Sequence, residues 1–137
     1  MLGSEVNYLA VLVAAVASFL LGWLWYGPFF GKPWMKLMNF DKNSMKSMKL
    51  SPVTAMILGF LTYLVIAYVL AGFISILNSA TIVEGMKIAF WIWLGFIATT
   101  TLGSFLWEGK SIKLYLLNNT YNLLNLLVMS AILTAWK

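Results

Sequence analysis

The sequence predicts an all-α integral membrane protein with four transmembrane helices and a short amphipathic cytoplasmic segment between the first and the second. Three observations predict this fold class. The 137 residues are 62% hydrophobic and 9% charged, whereas soluble domains carry about 25% charged residues. The apolar residues form four runs, each close to the roughly 20 residues that cross a bilayer as a helix. Five of the nine lysines crowd into the one long polar gap, as expected of a cytoplasmic loop.

The composition excludes several kinds of chemistry. The chain has no cysteine and no histidine, which rules out disulfides, thiolate nucleophiles, Ser-His-acid triads and the usual thiolate or imidazole metal sites. It also has no arginine, so lysine supplies every fixed positive side-chain charge. The carboxylates lie at or beyond the ends of the apolar runs: Glu5, Asp41, Glu84 and Glu108. We therefore expect no catalytic residue, no metal and no cofactor, and the composition disfavours an enzyme.

The first predicted span covers residues 8–26. Asn7 or Ser4 is a favourable N-cap for its start, and the Gly27-Pro28 pair is expected to stop the helix. A cleaved signal peptide is disfavoured, because no lysine precedes the run and no small-residue cleavage site follows it. The aromatic residues that close the span are typical of an interfacial belt: Trp23, Trp25 and Tyr26.

The segment 29–50 is too polar to span a membrane and is expected to lie at the interface. Pro33 predicts the start of a short helix, and Asp41 is a favourable N-cap for a second. The lysine face is expected to contact anionic lipid or a protein partner, and the alternative is an ordinary cytoplasmic loop that rests on the headgroups. The lysines of this segment are Lys32, Lys36, Lys42, Lys46 and Lys49, of which the last three share one helical face.

The remaining apolar runs complete a single four-helix transmembrane domain over residues 1–137. Ser51 and Pro52 are typical of the N-cap and first position of a helix. Residues 78–84 predict a short turn, and residues 108–111 predict a tight polar turn. The predicted spans are 53–77, 85–107 and 112–136.

The distribution of lysines predicts the orientation of the four spans. The first and third connections lie on one side of the membrane and hold most of the lysines, while the opposite side holds only Lys87 and Lys137. The lysine-rich connections are expected to be cytoplasmic and both termini outside. Because this rule also accounts for the net charge of +5, we expect membrane lipids and no nucleic acid as partners.

Small residues recur every four positions in two of the spans. Helices in lipid gain little from hydrophobic burial against each other, so small residues that allow close backbone approach tend to mark helix contacts. We interpret both stripes as packing faces, either inside the bundle or between copies of it. The first stripe is Ala10, Ala14, Ser18 and Gly22, and the second is Gly95, Thr99 and Gly103.

The fourth span carries a polar face. Asn118, Asn122 and Asn125 follow i, i+4, i+7 spacing, and Asn119 and Thr120 add polarity at the same depth. A buried amide without a partner costs on the order of 2 kcal/mol or more, so this face is expected to point away from lipid. Two interpretations remain open. The amides either hydrogen-bond between helices and set the bundle geometry, or they line a polar cavity or conduction path.

Glu108 is the best-placed ionisable residue. It lies where the third span ends, on the side that we expect to be cytoplasmic. Pairing with Lys110 or Lys113 at the interface is the simpler interpretation. A proton-coupled role normally uses a carboxylate deeper in the membrane.

Several strings of residues carry a family resemblance. They are 7–15, 24–28, 30–36, 107–110 and 129–133, with Trp25-Tyr26-Gly27-Pro28 and Glu108-Gly109-Lys110 the most specific. Over essentially its whole length, the chain resembles a bacterial family of small membrane proteins known as domain of unknown function 1761. The resemblance implies a four-helix fold in the bacterial cytoplasmic (inner) membrane and no established activity. A histidine often follows the last-span tyrosine in that family. Here Asn122 follows Tyr121, so no proton or metal role of that imidazole carries over.

The leading functional interpretation is a non-enzymatic multi-pass membrane module that self-associates, as a homo-oligomer, and binds lipid or an unidentified protein partner. The alternative is a small oligomeric channel or transporter lined by the asparagine face. Drug–proton exchange of the small multidrug exporter kind is disfavoured, because no carboxylate lies in residues 8–26. A third interpretation is an intramembrane enzyme acting on lipid, for which Asp41 and Glu108 are the candidate acid–base or metal-binding pair.

Overall fold

The computed structural model describes residues 6–39 and 50–137, and within these ranges every regular element is helical. A short helix, α2, covers Gly31–Met38. The four long helices are apolar enough to cross a membrane and confirm a multi-pass, all-α membrane fold. They are α1 (Tyr8–Phe29), α3 (Pro52–Ile76), α4 (Ile82–Leu106) and α5 (Ile112–Ala135).

A side-chain oxygen caps the start of each long helix. The Asn7 side chain accepts hydrogen bonds from the backbone nitrogens of Leu9 and Ala10, and the Ser51 hydroxyl accepts one from Thr54, ahead of Pro52 at the first helical position. Thr81 caps α4 and Ser111 caps α5 in the same way. Because Thr81 is already a cap, α4 begins three residues before the predicted start at residue 85.

The helix α1 continues past the Gly27-Pro28 pair as a wider π turn, Trp25–Phe29, where the sequence predicts a stop. The Phe30 backbone nitrogen donates to the Trp25 carbonyl at 2.8 Å, so the chain absorbs the missing proline N–H in a five-residue turn. A Cβ at Gly31 would lie 2.8 Å from the Tyr26 carbonyl oxygen, so only glycine allows the sharp entry into α2. The turn thereby folds α2 back onto α5.

The helix α4 contains a second π turn, Trp93–Ala98. Directly after it, Thr99, Thr100 and Thr101 donate their hydroxyls to carbonyls four residues earlier, at 2.6–2.7 Å. Threonines that bond back to their own helix tend to bend it. Because a π turn contains one more residue than an α turn, the residues of α4 after it are in a different register from those before it.

The helix α5 is the centre of the bundle. It packs against α1, α3 and α4, and α1 also packs against α3, whereas α3 and α4 touch only slightly. The apolar core lies towards the chain termini and includes Ala14, Ala67, Leu70 and Met129. At that end Asn7 donates to the Trp136 carbonyl at 3.2 Å, and the Lys137 amine donates to the Ser79 carbonyl. These bonds join the start of α1, the end of α5 and the turn between α3 and α4. The opposite end, which we call the loop end, holds the clefts described next.

Candidate functional site

Two asparagines of α5 tie this helix to its neighbours on opposite sides. The Tyr26 hydroxyl of α1 donates to Oδ1 of Asn118 at 2.8 Å. On the other side, the Thr101 hydroxyl of α4 shares its one hydrogen between Oδ1 of Asn119, at 2.9 Å, and the Ile97 carbonyl of its own helix, at 2.6 Å. The Trp93 indole donates to the Asn119 backbone carbonyl at 2.9 Å. Asn119 also donates to the Tyr115 carbonyl at 3.1 Å, one turn earlier in its own helix. These two amides therefore act as links between helices.

A chain of tyrosine hydroxyls continues this network into the bundle. The Tyr121 hydroxyl donates to the Ser18 carbonyl at 3.0 Å. It lies 2.8 Å from the Tyr63 hydroxyl, which is therefore the donor in that pair. A Cβ at Gly22 would lie 2.8 Å from the Tyr121 hydroxyl oxygen, so the absence of a side chain at Gly22 leaves the space that this tyrosine fills. One tyrosine pair thus joins α1, α3 and α5.

Asn122 and Asn125 differ from the other two amides. They lie near the midpoint of α5, and within the described residues neither side chain makes a hydrogen bond. Asn125 is only 4% exposed, and its Oδ1 is closed off from solvent without a partner there. Asn122 is half-buried and lines three separate clefts. The middle of α5 therefore has two side-chain amides that make no hydrogen bond within the described residues.

Two of these clefts open at the loop end and meet at Met38, Asn118 and Asn122. The aromatic cleft, of about 760 Å³, lies between α1, α2 and α3. The polar cleft, of about 470 Å³, lies between α4 and α5 and has Glu108 and Lys110 among its lining residues. The main aromatic and methionine side chains of the aromatic cleft are Phe19, Trp23, Tyr26, Trp34, Met56 and Tyr63. Together the two clefts form one site that has aromatic side chains, three asparagines and one residue of each charge at its mouth.

The third cleft, which we call the apolar groove, lies at mid-helix depth between α3, α4 and α5. Its volume is about 320 Å³, and its walls include Val69, Phe73 and Ile97. Asn122 and Asn125 are its polar residues. The groove is open because α3 and α4 touch each other only slightly and leave part of α5 uncovered.

The remaining sequence-predicted positions have varied surroundings. Thr120 is exposed, because it lies on the opposite side of α5 from Asn118. Asn119, at the same depth, is buried. Glu108 is exposed at the mouth of the polar cleft. Lys32 and Lys36 are exposed on α2. Three predicted lysines and two carboxylates lie outside the described residues: Lys42, Lys46, Lys49, Glu5 and Asp41.

The two small-residue stripes have different environments. Ala10, Ala14 and Ser18 are buried in the bundle and Gly22 is half-buried. In α4, Gly95 and Thr99 are exposed and Gly103 is half-buried, and a Cβ at Gly95 meets nothing within 4 Å. The second stripe therefore does not pack inside a single chain. A contact between copies stays a prediction.

Sequence reasoning missed two features, one in the site and one helix contact outside it. The first is the tyrosine network, although Tyr63 and Tyr121 lie deep within apolar spans, where a hydroxyl needs a partner. The second is Gly85, where an added Cβ would lie 2.0 Å from Oγ1 of Thr134. No periodic pattern marks this glycine, since Ala89 is the only small residue that follows it at four-residue spacing before the π turn.

Comparison with known proteins identifies a family and no activity. No curated protein and no solved structure matches the chain. The model of one family, described as Protein of unknown function (DUF1761), matches residues 9–134. The amide, tyrosine and tryptophan contacts of α5 all fall within this range. The chain therefore belongs to the DUF1761 family of proteins of unknown function.

Proposed function

We propose that this protein is a non-enzymatic membrane module that self-associates and binds a lipid-like amphiphile in the clefts around Asn122. One observation carries the proposal. The Asn122 carboxamide lies at mid-helix depth, lines three clefts and has no hydrogen-bond partner among the residues that the structure describes. Polar groups at this depth normally find partners, because lipid offers none. A bound amphiphile supplies both the partner and the apolar contact.

The two clefts at the loop end suit the two halves of an amphiphile. The aromatic cleft presents Trp23 and Trp34, and aromatic rings pack well against acyl chains or ring systems. The polar cleft presents Glu108, Lys110 and hydroxyl side chains to a head group. Met38 lines both clefts, and its flexible thioether side chain adapts to ligands of different shape.

The proposed setting is a bacterial cytoplasmic membrane, with both termini outside and the loop end in the cytoplasm. The excess of lysine in the first and third connections supports this orientation. It places the exposed Lys32 and Lys36 beside the headgroups of the cytoplasmic leaflet, where each lysine near an anionic surface contributes about 1 kcal/mol. The same surface brings anionic lipid to the mouth of the clefts.

Burial of the amides favours a binding module over a channel. Asn125 is 4% exposed inside its own chain, so it does not offer its carboxamide to a pore between copies. A path through one chain meets the apolar core, where Ala10, Ala67 and Met129 are fully buried. This core separates the loop-end clefts from a smaller cavity of about 290 Å³ at the terminal end.

Self-association is proposed to use α4. It is the least enclosed long helix, with 11% of its most apolar stretch buried against 39% for α5. Its outer face exposes Gly95 and Thr99, which allow a second helix to approach closely.

Native mass spectrometry of the protein released gently from its own membrane tests both halves of the proposal. We expect a defined oligomer that retains a stoichiometric lipid mass. Trp34→Ala and Asn122→Leu should lower the retained fraction, because each removes a contact in the clefts. Trp107→Ala is the matched control, since this tryptophan is 86% exposed and does not line the clefts.

The two halves of the proposal fail separately. A protein that carries no bound mass, or one whose bound mass is unchanged in both cleft variants, contradicts lipid binding. A monomer at every protein concentration contradicts self-association.

A further inference from the structure

The mouth of the polar cleft holds two charged side chains of opposite sign that do not pair with each other. Glu108 and Lys110 both line the cleft, and both are exposed. Within the part of the chain that the structure describes, no ion pair joins them and neither side chain has a hydrogen-bond partner. Gly109 lies between them in the left-handed region, at φ 71°, and the Lys110 backbone nitrogen donates to the Ser104 carbonyl at 3.0 Å. The turn therefore holds two unpaired charges of opposite sign beside one cleft.

These two charges lie at the depth of lipid headgroups. The long helix α4 ends at Leu106 and α5 begins at Ile112, so the turn between them emerges at the surface of the membrane. Asn118 is six residues beyond the start of α5, which places it about 9 Å deeper along the same cleft. The cleft thus runs from charged groups at the surface to an amide below them.

The Asn118 side chain offers a hydrogen-bond donor to the cleft. Its Oδ1 already accepts a hydrogen bond from the Tyr26 hydroxyl, so its amide nitrogen is the atom left to bind another group. That nitrogen has no partner among the described residues and is not closed off from solvent, unlike Oδ1 of Asn125. An amide N–H needs an acceptor, and the ester carbonyl oxygens of a phospholipid are acceptors just below the headgroup.

We propose that the polar cleft binds a phospholipid whose head group carries a primary amine, with the ammonium at Glu108, the phosphate at Lys110 and an ester carbonyl at Asn118. A primary ammonium has only donors and pairs with a carboxylate, while a phosphate diester has only acceptors and pairs with a lysine. Phosphatidylethanolamine has these three groups in this order from the surface inwards. Its acyl chains then extend towards the aromatic cleft, which shares Met38 with the polar cleft. This inference rests on the proposed function and names the lipid class that the site selects.

Other phospholipids fit this arrangement less well. Phosphatidylglycerol has no cation for Glu108, so its phosphate meets a carboxylate without compensation. Phosphatidylcholine has a cation, but its trimethylammonium group has no N–H to donate. The lysines of α2 attract anionic lipid to the surface in general, whereas selection inside the cleft depends on Glu108.

A matched set of lipids tests the role of the amine. The full-length protein in detergent micelles is titrated with the dioleoyl forms of phosphatidylethanolamine, phosphatidylcholine and phosphatidylglycerol, and native mass spectrometry measures the bound fraction of each. We expect roughly fivefold to tenfold tighter binding of phosphatidylethanolamine than of either other lipid, which corresponds to one charge-assisted hydrogen bond. Water-soluble glycerophosphoethanolamine, which lacks the acyl chains, should not compete.

Two variants locate this preference. Glu108→Gln should abolish the preference for phosphatidylethanolamine over phosphatidylcholine, because the new amide has no charge for the ammonium. Lys110→Gln should weaken the binding of all three lipids to a similar extent, since each carries a phosphate. Glu84→Gln is the control for the loss of a carboxylate and Lys113→Gln for the loss of an ammonium, because both residues are exposed and neither lines the cleft. Thermal unfolding should be similar in all four variants, since surface substitutions seldom change stability much.

Each other outcome overturns the inference. Equal binding of the three lipids by the wild type does so without any variant, as does tighter binding of phosphatidylglycerol. So does a Glu108→Gln protein that keeps the preference, a control variant that loses it, or glycerophosphoethanolamine that competes as well as the lipid. If the three lipids bind without preference and Trp34→Ala still removes the native lipid, the proposed function stands and this inference alone fails.

Discussion

The hydroxyl of Tyr121 shows how a single polar atom organises this bundle. It joins Tyr63 of α3 to the Ser18 carbonyl of α1 and fills the space above Gly22. A helix carbonyl such as that of Ser18 already accepts its own helical hydrogen bond and has a second lone pair free. The tyrosine uses this spare capacity, so three helices share one fixed point inside an otherwise apolar interior.

Tyr121→Phe is expected to lower the free energy of unfolding by about 1 kcal/mol, because hydrogen bonds between membrane helices contribute roughly this amount. The ring remains, so the packing against Tyr26 at 5.3 Å is kept and only the hydroxyl is lost. Unfolding from mixed micelles measures the change. Tyr68→Phe, at a tyrosine outside the network, is the control. Equal stability of wild type and Tyr121→Phe would contradict a structural role for this hydroxyl.

The asparagines of α5 show which site features a sequence reveals. Their i, i+4, i+7 spacing predicts a shared face, and the structure places Asn118, Asn122 and Asn125 at the half-buried or buried side of the helix. Spacing does not predict which amides have partners. The partner of Asn118 is Tyr26, which is 92 positions away in the chain, and nothing local to α5 indicates that contact.

At the scale of elements, the contact between α4 and α5 depends on Gly85. A Cβ there would lie 2.0 Å from Oγ1 and 3.1 Å from Cβ of Thr134. The Thr134 hydroxyl is itself bonded to the Ser130 carbonyl at 2.7 Å, which restricts its rotation. The two helices therefore touch backbone to side chain at this point, with no space for a methyl group.

Gly85→Ala is expected to destabilise the protein by about 1–3 kcal/mol, because an inserted methyl group in a packed interface forces the helices apart. Gly95→Ala, in the same helix, is expected to be neutral or slightly stabilising, since a Cβ there meets nothing and alanine favours helix. Thermal unfolding of both variants measures the difference. Similar midpoints for the two variants would contradict the close contact at Gly85.

The π turn in α4 shifts the buried face of this helix in a way that sequence spacing does not show. Four-residue spacing keeps residues on one face only while the helix stays α-helical. The buried face includes Gly85 and Ala89 before the turn Trp93–Ala98 and continues at Ala98, while Phe96, seven residues after Ala89, is 72% exposed. Helix boundaries near capping residues such as Ser51 can be predicted from the local sequence, whereas the change of register at the π turn cannot.

At the scale of the whole molecule, the bundle is asymmetric along the membrane normal. The terminal end holds the apolar core, the Lys137 contact with Ser79 and a cavity of about 290 Å³, while the loop end holds two larger clefts lined by amides and aromatic rings. Hydrophobic runs and capping residues were sufficient to predict the four helices, while the arrangement around α5 required the tertiary structure.

The proposed orientation predicts the sides on which single cysteines react, and the natural chain has no cysteine to interfere. Lys110→Cys, in the turn between α4 and α5, should react with a membrane-impermeant maleimide only after the cytoplasmic face is opened. Ala80→Cys, in the turn between α3 and α4, should react in intact cells. Both positions are exposed, so reactivity reports the side of the membrane rather than burial. The reverse labelling pattern would contradict the orientation.

The central position of α5 has a consequence for how the protein is made. During synthesis a ribosome delivers α1, α3 and α4 to the membrane before the helix on which they pack, and elongation leaves them without it for on the order of seconds. In that interval the Tyr26 hydroxyl and the Trp93 indole lack the acceptors that they find on α5. Insertion of α5 supplies these acceptors, so it is the step that completes the hydrogen bonds between the helices.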